Sequence, residues 1–230
     1  DVYHAAPVLH LRLDEPYGAT QFADNAATSM DNANDGVCTG THCPTAGEGI
    51  KGQLSLAALF DGADDAILVP DGAALQTGHF TIGAWVLPTY VNPDAPQEII
   101  VRSASEVGGE IGPQPTLHAN YRLYLMPNTL IPVAEFDAGC TDVVRRVTSQ
   151  VALVKDHWNH VMVSFDGERL VLYVNGTEQA RLSGLNGAQA CTEAGWPFHI
   201  GGFSIPAGAD REYSNPFRGR IDEVTLHNRG

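Results

Sequence analysis

The chain has 230 residues, 43% of them hydrophobic and 17% charged, and 27 acidic against 13 basic side chains leave a formal net charge of -14. Nucleic acid and anionic membranes are met by clustered Lys and Arg, and the longest basic run here is Arg145-Arg146, so cations are the better-matched guests and no nucleic-acid partner is expected. No apolar run approaches the roughly 20 residues that span a bilayer, so no membrane insertion is expected. All-β sandwiches reach about 200–250 residues as one unit, which makes a single domain over 1–230 the expectation. The start at Asp1 without a Met suggests a piece excised from a larger protein.

Apolar and polar residues alternate over short stretches bounded by Gly, Pro, Asn and Asp, the period-2 signature of half-buried strands, and helical periodicity is nearly absent. In chain order the expected strands are 7–13, 55–60, 66–69, 80–87, 97–102, 121–126, 130–136, 143–151, 158–165, 170–174, 177–182, 198–200 and 217–226. Strands this short and numerous pack as two antiparallel sheets. Asn175-Gly176 sits between two alternating runs, and this dipeptide suits turns in which both central residues need positive φ, so 158–182 reads as a three-stranded meander. Asn175 to Thr177 also spells a glycosylation acceptor, but turn geometry already explains Asn175. The stretches 14–54, 103–120 and 184–197 are expected as long loops, which carry function more often than connections do. Trp85 and Trp158 lie in alternating runs and are expected to bury their rings between the sheets.

Four cysteines divide into Cys38 and Cys43, close together in a Gly/Thr loop, and the isolated Cys140 and Cys191. One local and one long-range disulfide is the simplest pairing and points to an oxidising, secreted or cell-surface setting. Zinc is the competing account; CTGTHC with His42 supplies half a site, and no second matching pair follows.

Several fragments resemble one family. They are LHLRLDE (9–15), FADNAATSMDNANDG (22–36), ALFDGADDAILVP (58–70), FTIGAWVLP (80–88), HWNHVMVSFDGERLVLYVNG (157–176), FHIGG (198–202) and FRGRIDEVTLHNR (217–229). In this order they resemble the laminin-G-like jelly-roll domains of the concanavalin A-like lectin/glucanase superfamily, as repeated in bacterial extracellular proteins. The resemblance implies an all-β jelly roll of two antiparallel sheets. It also implies a calcium ion tying the first strands to the last, through the terminal-strand Asp, here Asp222, and a Gly carbonyl near the second strand, here Gly62. Asp24 and Asn25 match the family's Asp-x-Ser-Gly region and are the next ligand candidates.

Independently of the family, Asp61-Gly62-Ala63-Asp64-Asp65 crowds carboxylates that repel unless a cation or water screens them, so Asp64 and Asp65 join the calcium candidates. Asp31 to Gly36 superficially opens an EF-hand, but Ala33 stands at the third position and His42 at the twelfth, and that reading fails. Some members of the superfamily are β-glucanases with carboxylates spaced along one strand; Glu135-Phe136-Asp137 begins such a pattern, and Ala138-Gly139-Cys140 ends it without the third. His157 and His160 fall on opposite strand faces, and no nucleophile elbow, phosphate loop or H-E-x-x-H is present. For sugar stacking the candidates are Tyr90, Trp196 and Tyr213 in expected loops, with Glu106 in the 103–120 loop as a hydroxyl acceptor. The expected function is a non-catalytic, calcium-stabilised extracellular module binding carbohydrate or an extracellular protein in adhesion. The alternatives are a structural spacer and a glycoside hydrolase using Glu135 and Asp137.

Overall fold

Alternation of apolar and polar side chains resolves into short antiparallel strands whose apolar faces meet across two sheets. The computed structural model describes residues 6–26, 34–47, 49–103, 119–141, 143–207 and 210–230, with the backbone alone over 204–207 and 210–213. In chain order the strands are β1 (Leu9–Leu11), β2 (Gln21–Phe22), β3 (Gly36–Val37), β4 (Ala58–Asp61), β5 (Ile67–Val69), β6 (Phe80–Pro88), β7 (Gln97–Ser103), β8 (Ala119–Leu125) and β9 (Pro132–Asp137). They continue with β10 (Val144–Thr148), β11 (Asn159–Phe165), β12 (Arg169–Val174), β13 (Thr177–Ser183), β14 (Phe198–Ile200), β15 (Phe203–Ala207), β16 (Asp210–Ser214) and β17 (Arg218–His227). One sheet has seven strands in the order β1-β17-β6-β11-β12-β13, with β4 also on β17; the other has eight, ordered β10-β9-β8-β7-β14-β5-β3-β2. The expected jelly-roll sandwich is therefore what forms. Strands β2 and β3 break up the expected 14–54 loop, and the hairpin β15-β16 was not anticipated.

Phenylalanines close the gap between the sheets. Phe136 of the eight-stranded sheet lies 4.2 Å from Phe165 of the seven-stranded one, and Phe80 packs 5.7 Å from Phe165 and 5.1 Å from Tyr121. The tryptophans expected there are elsewhere. On β6 the inward residues are Ile82, Ala84 and Val86, so Trp85 falls on the opposite face, half-buried, with its ring 5.1 Å from His160. Trp158 is likewise half-buried and outside the core cluster, because Val161, Val163 and Phe165 hold the inward register of β11. Gly201, at φ +78, must be glycine: a Cβ there would stand 2.0 Å from Phe60.

Strand β17 organises the seven-stranded sheet. One edge pairs with β6; the other pairs with β4 from Arg218 to Ile221, then with β1 from Val224 to Leu226. Between these two partners the register against β6 shifts, and Glu223 takes φ +50, the signature of a bulge that inserts a residue and turns the strand. The expected Asn-Gly hairpin forms between β12 and β13, with Asn175 at φ +51 and Gly176 at +75.

Both disulfides form as expected, Cys38 with Cys43 and Cys140 with Cys191. The second spans 51 residues and joins the end of β9 to the segment before β14. On the chain-entropy account, closing a loop of that size is worth about 4 kcal/mol. The paired change Cys140→Ser and Cys191→Ser should lower the melting temperature on the order of 10 °C, while removal of the local Cys38–Cys43 bridge should cost clearly less. Differential scanning calorimetry of the two double variants checks the ranking.

Candidate functional site

On the outer face of the eight-stranded sheet, pairing brings charges of alternating sign together. Arg122 on β8 stands opposite Glu135 on β9, which stands opposite Arg146 on β10, while Glu98 comes from β7. Arg122 Nε lies 3.0 Å from each Glu98 oxygen, and Arg122 Nη2 donates to the same carboxylate. Arg122 Nη1 donates to Glu135 Oε1 at 2.8 Å, and Arg146 Nε donates to Glu135 Oε2 at 2.5 Å. The Arg122 guanidinium lies 3.9 Å over the Tyr124 ring. Glu98 is fully buried and Glu135 nearly so, a placement that carboxylates tolerate only when paired this closely. Burial works against the Arg122 charge, but Glu98 and Glu135 outweigh it and hold its pKa above the ordinary arginine value. Burial, reinforced by Glu135, pushes the Tyr124 hydroxyl up to about 12.

This geometry bears on Glu135 and Asp137. Both Glu135 oxygens are taken by arginines, and the buried Asp137 accepts the Thr141 N–H at 3.1 Å through Oδ1. The Glu-x-Asp pair is thus knitted into the sheet rather than presented as an acid and a nucleophile.

Near the start of β7 an aromatic is on display. Tyr90, just after β6, is 41% exposed, and the Arg218 guanidinium sits 5.4 Å over its ring. Gln97 ties the two together, donating to the Tyr90 carbonyl at 3.1 Å and accepting the Arg218 N–H at 3.2 Å. Asn215 links this region to the charged floor by donating to Glu98 Oε1 at 3.1 Å. Trp196, expected as a stacking ring, is only 6% exposed and anchors the end of the sandwich instead. Its neighbour is the fully buried Arg102, 5.9 Å from the ring, which donates to Asn120, Asp71 and the Glu193 carbonyl. Tyr213 lies on β16 opposite Ser204, with its side chain outside the described residues, where Glu106 also falls.

The calcium candidates do not gather at one point. Gly62 abuts Arg218, four residues along β17 from Asp222 and so about 13 Å away; it is not Asp222's neighbour as expected. Asp222 faces the turn after Lys51: Oδ2 accepts the Gln53 N–H at 2.6 Å, and a Cβ on Gly52 would stand 2.5 Å from that oxygen. Asp222 is 1% exposed, and its Oδ1 has no hydrogen-bond partner. Burial, then the nearby Glu223 and Asp14, pushes its carboxyl up to about 6. A buried carboxylate with an unsatisfied oxygen is a group that a hard, oxygen-seeking cation can take. Asp24 is committed elsewhere: Oδ1 accepts the His10 and Ala26 N–H groups and Oδ2 accepts from Asn34. Asn25 is exposed beside it and bonds the Ala23 carbonyl. Asp64 pairs with His42 at 2.9 Å, and with Asp61 and Asp65 it offers three oxygens within 4.8 Å of one another. Asp65 is buried, and burial together with Asp61 and Asp64 pushes it up to about 6.

Sequence reasoning missed Arg122, Glu98 and Arg218. An Arg inside an alternating strand and its Glu 24 residues earlier carry no local signal; only sheet register unites them. Among the described residues no helix is long and apolar enough to cross a membrane.

The fold and its polar outer face define a β-sandwich of the lectin type. A family model described as the concanavalin A-like lectin/glucanases superfamily, of laminin G type, matches residues 61–230, and the chain belongs to that superfamily. No curated protein sequence matches it. Among solved structures it is similar to domain 4 of AbnA, an extracellular GH43 arabinanase from Geobacillus stearothermophilus, in complex with arabinotriose, at 20% identity and TM-score 0.62, over 97% of this chain and 92% of that one. The binding domain of Paraclostridial mosquitocidal protein 1 is similar at 12% identity and TM-score 0.64, over 98% of this chain and 49% of that one. The CBM40 of Ruminococcus gnavus IT-sialidase, bound to α2,3-sialyllactose, is similar at 17% identity and TM-score 0.50, over 71% of this chain and 89% of that one. At these identities the likeness establishes the fold.

The raised Asp65 pKa has a signed consequence for stability. Between its unfolded value near 3.8 and its folded value of about 6, the folded chain holds more protons, so this group's contribution falls as pH rises through that window. With chelator present, Asp65→Asn should therefore be more stable than the parent at pH 7, on the order of 1 kcal/mol after allowing for solvent screening, and the gap should close by about pH 4. Urea unfolding of both proteins across that range measures it.

Proposed function

We propose that this chain is a non-catalytic carbohydrate-binding module, one unit over 1–230, working on a secreted or cell-surface protein. What supports the reading most is its likeness, over nearly the full length of both chains, to an arabinanase domain solved with arabinotriose. The local chemistry agrees with it. Tyr90, steadied by Arg218 and Gln97, offers one ring face to the C–H face of a sugar, and the polar rim around it supplies hydroxyl partners. Glycoside hydrolysis requires two available carboxyl groups, whereas Glu135 is clamped by Arg122 and Arg146.

Calcium belongs to the same reading as a structural ion. Asp222 and backbone oxygens of the turn after Lys51 would hold it, cancelling a buried charge and pinning that turn to β17. Asp24, Asn25 and Asp64 remain separate candidates, and Gly62 lies too far from Asp222 to share its ion.

Titration calorimetry with neutral and acidic oligosaccharides should find a ligand, and Tyr90→Ala should weaken it about tenfold, the worth of one aromatic contact. A blank panel, with calcium present, would leave the spacer reading standing. Release of reducing ends by the parent and its loss in Glu135→Gln would instead establish a hydrolase. Separately, chelation should lower the melting temperature, since a ligand held only by the folded state stabilises it, and Asp222→Ala should erase that response.

A further inference from the structure

Away from the Tyr90 rim, the segment after β1 holds a second aromatic in the open. Tyr17 is 84% exposed and borders a cleft of about 560 Å³, lined by Asp14, Pro16, Tyr17 and Leu56. The cleft is shallow and open to solvent over much of its boundary, a seat for one face of a ring rather than an enclosing pocket. Scattered exposed tyrosines are ordinary; a rigidly held one is less so. Here the backbone is fixed twice. Ala19 donates to the Pro16 carbonyl at 3.1 Å and Gly18 takes φ +77, a tight turn with Tyr17 at its first central position. Gly47 presses on that turn so closely that a Cβ there would stand 2.4 Å from the Tyr17 nitrogen. The backbone that carries the ring is therefore preorganised, which removes part of the entropy cost of binding.

The rest of the cleft complements the ring. Pro16 and Leu56 extend its apolar side, and Leu54, two residues from Leu56, is 73% exposed. Asp14 supplies the polar side from a fixed position: Oδ1 accepts the Leu56 N–H at 2.8 Å and Oδ2 pairs with Arg12 at 2.7 Å. Each oxygen keeps acceptor capacity for a hydroxyl. An aromatic face, a short apolar wall and one acceptor-only group match the C–H face and hydroxyl edge of a sugar ring. Among the described residues the lining carries one charge, the Asp14 carboxylate, and the Arg12 guanidinium beside it is already paired with that group and with Glu223, which sets the cleft against uronates and sialates.

We infer that the Tyr17 cleft is a second saccharide site, selective for neutral sugars and separate from the Tyr90 rim. The inference rests on the carbohydrate-binding reading and adds to it a second point of attachment, so that one module engages a polysaccharide chain or two neighbouring chains with avidity.

The test is amide NMR of the full chain titrated with xylotriose, cellotriose and maltotriose, and with trigalacturonate as the anionic comparison. The neutral trisaccharides should shift the Tyr17, Gly18 and Leu56 amides in the parent and in Tyr90→Ala alike. Tyr17→Ala should raise the Kd read at those amides at least tenfold at unchanged melting temperature, while Tyr17→Phe, which keeps the ring face, should retain binding. Neutral sugars that bind while these amides stay still, or a Tyr17→Ala variant of unchanged affinity, would remove the cleft and leave carbohydrate binding intact. Equal shifts with trigalacturonate would overturn the claimed selectivity. No binding of any sugar to the parent at millimolar concentration would end both readings together.

Discussion

The structure turns on the short gap in β17 where the strand changes partner. Up to Ile221 it is paired with β4, and from Val224 with β1, two segments that both run antiparallel to it, so Asp222 and Glu223 fall in the gap between them. At the same point the register against β6 shifts, and the bulge puts Glu223 in the left-handed region, at a strain on the order of 1 kcal/mol. The same bulge sends Asp222 against the turn that contains Gln53 and sends Glu223 to His10. Two N-terminal segments are thereby tied to the last strand through neighbouring carboxylates.

Charge is buried in two different manners in this chain. Glu98 and Glu135 are sandwiched with Arg122 and Arg146, every carboxylate oxygen meets a donor, and the result stiffens one face of the sandwich. Asp222 and Asp65 are buried among other carboxylates instead, and both are pushed toward their neutral forms. The first arrangement is closed chemistry. The second keeps an appetite for protons or cations, in keeping with a net charge of -14.

Aromatic residues divide along a similar line. Phenylalanines from facing strands fill the core, and Trp196 and Tyr121 brace the end of the sandwich beside Arg102. Tyr90 and Tyr17 stand outside, both with their backbones held by neighbouring residues and Tyr90 with Arg218 over its ring.

The sequence alone sufficed for the longer strands, the two-sheet sandwich, the Asn175-Gly176 hairpin and the pairing of the cysteines, because period-2 alternation, turn chemistry and Cys spacing are local properties, and the superfamily was legible as a resemblance of ordered fragments. It marked Tyr90 and Asp222 as positions of interest but assigned Trp85 and Trp158 to the wrong face: residue type says a ring is large, and only strand register says which face it meets. The very short β2 and β3 were invisible for want of enough residues to show a period. Tertiary structure alone decided that Gly62 and Asp222 stand apart, that Arg122 reaches two glutamates from neighbouring strands, and that Tyr17 is mounted on Gly47. Each of these depends on which strands lie side by side, a matter settled by burial of the whole core and not by any one stretch of chain.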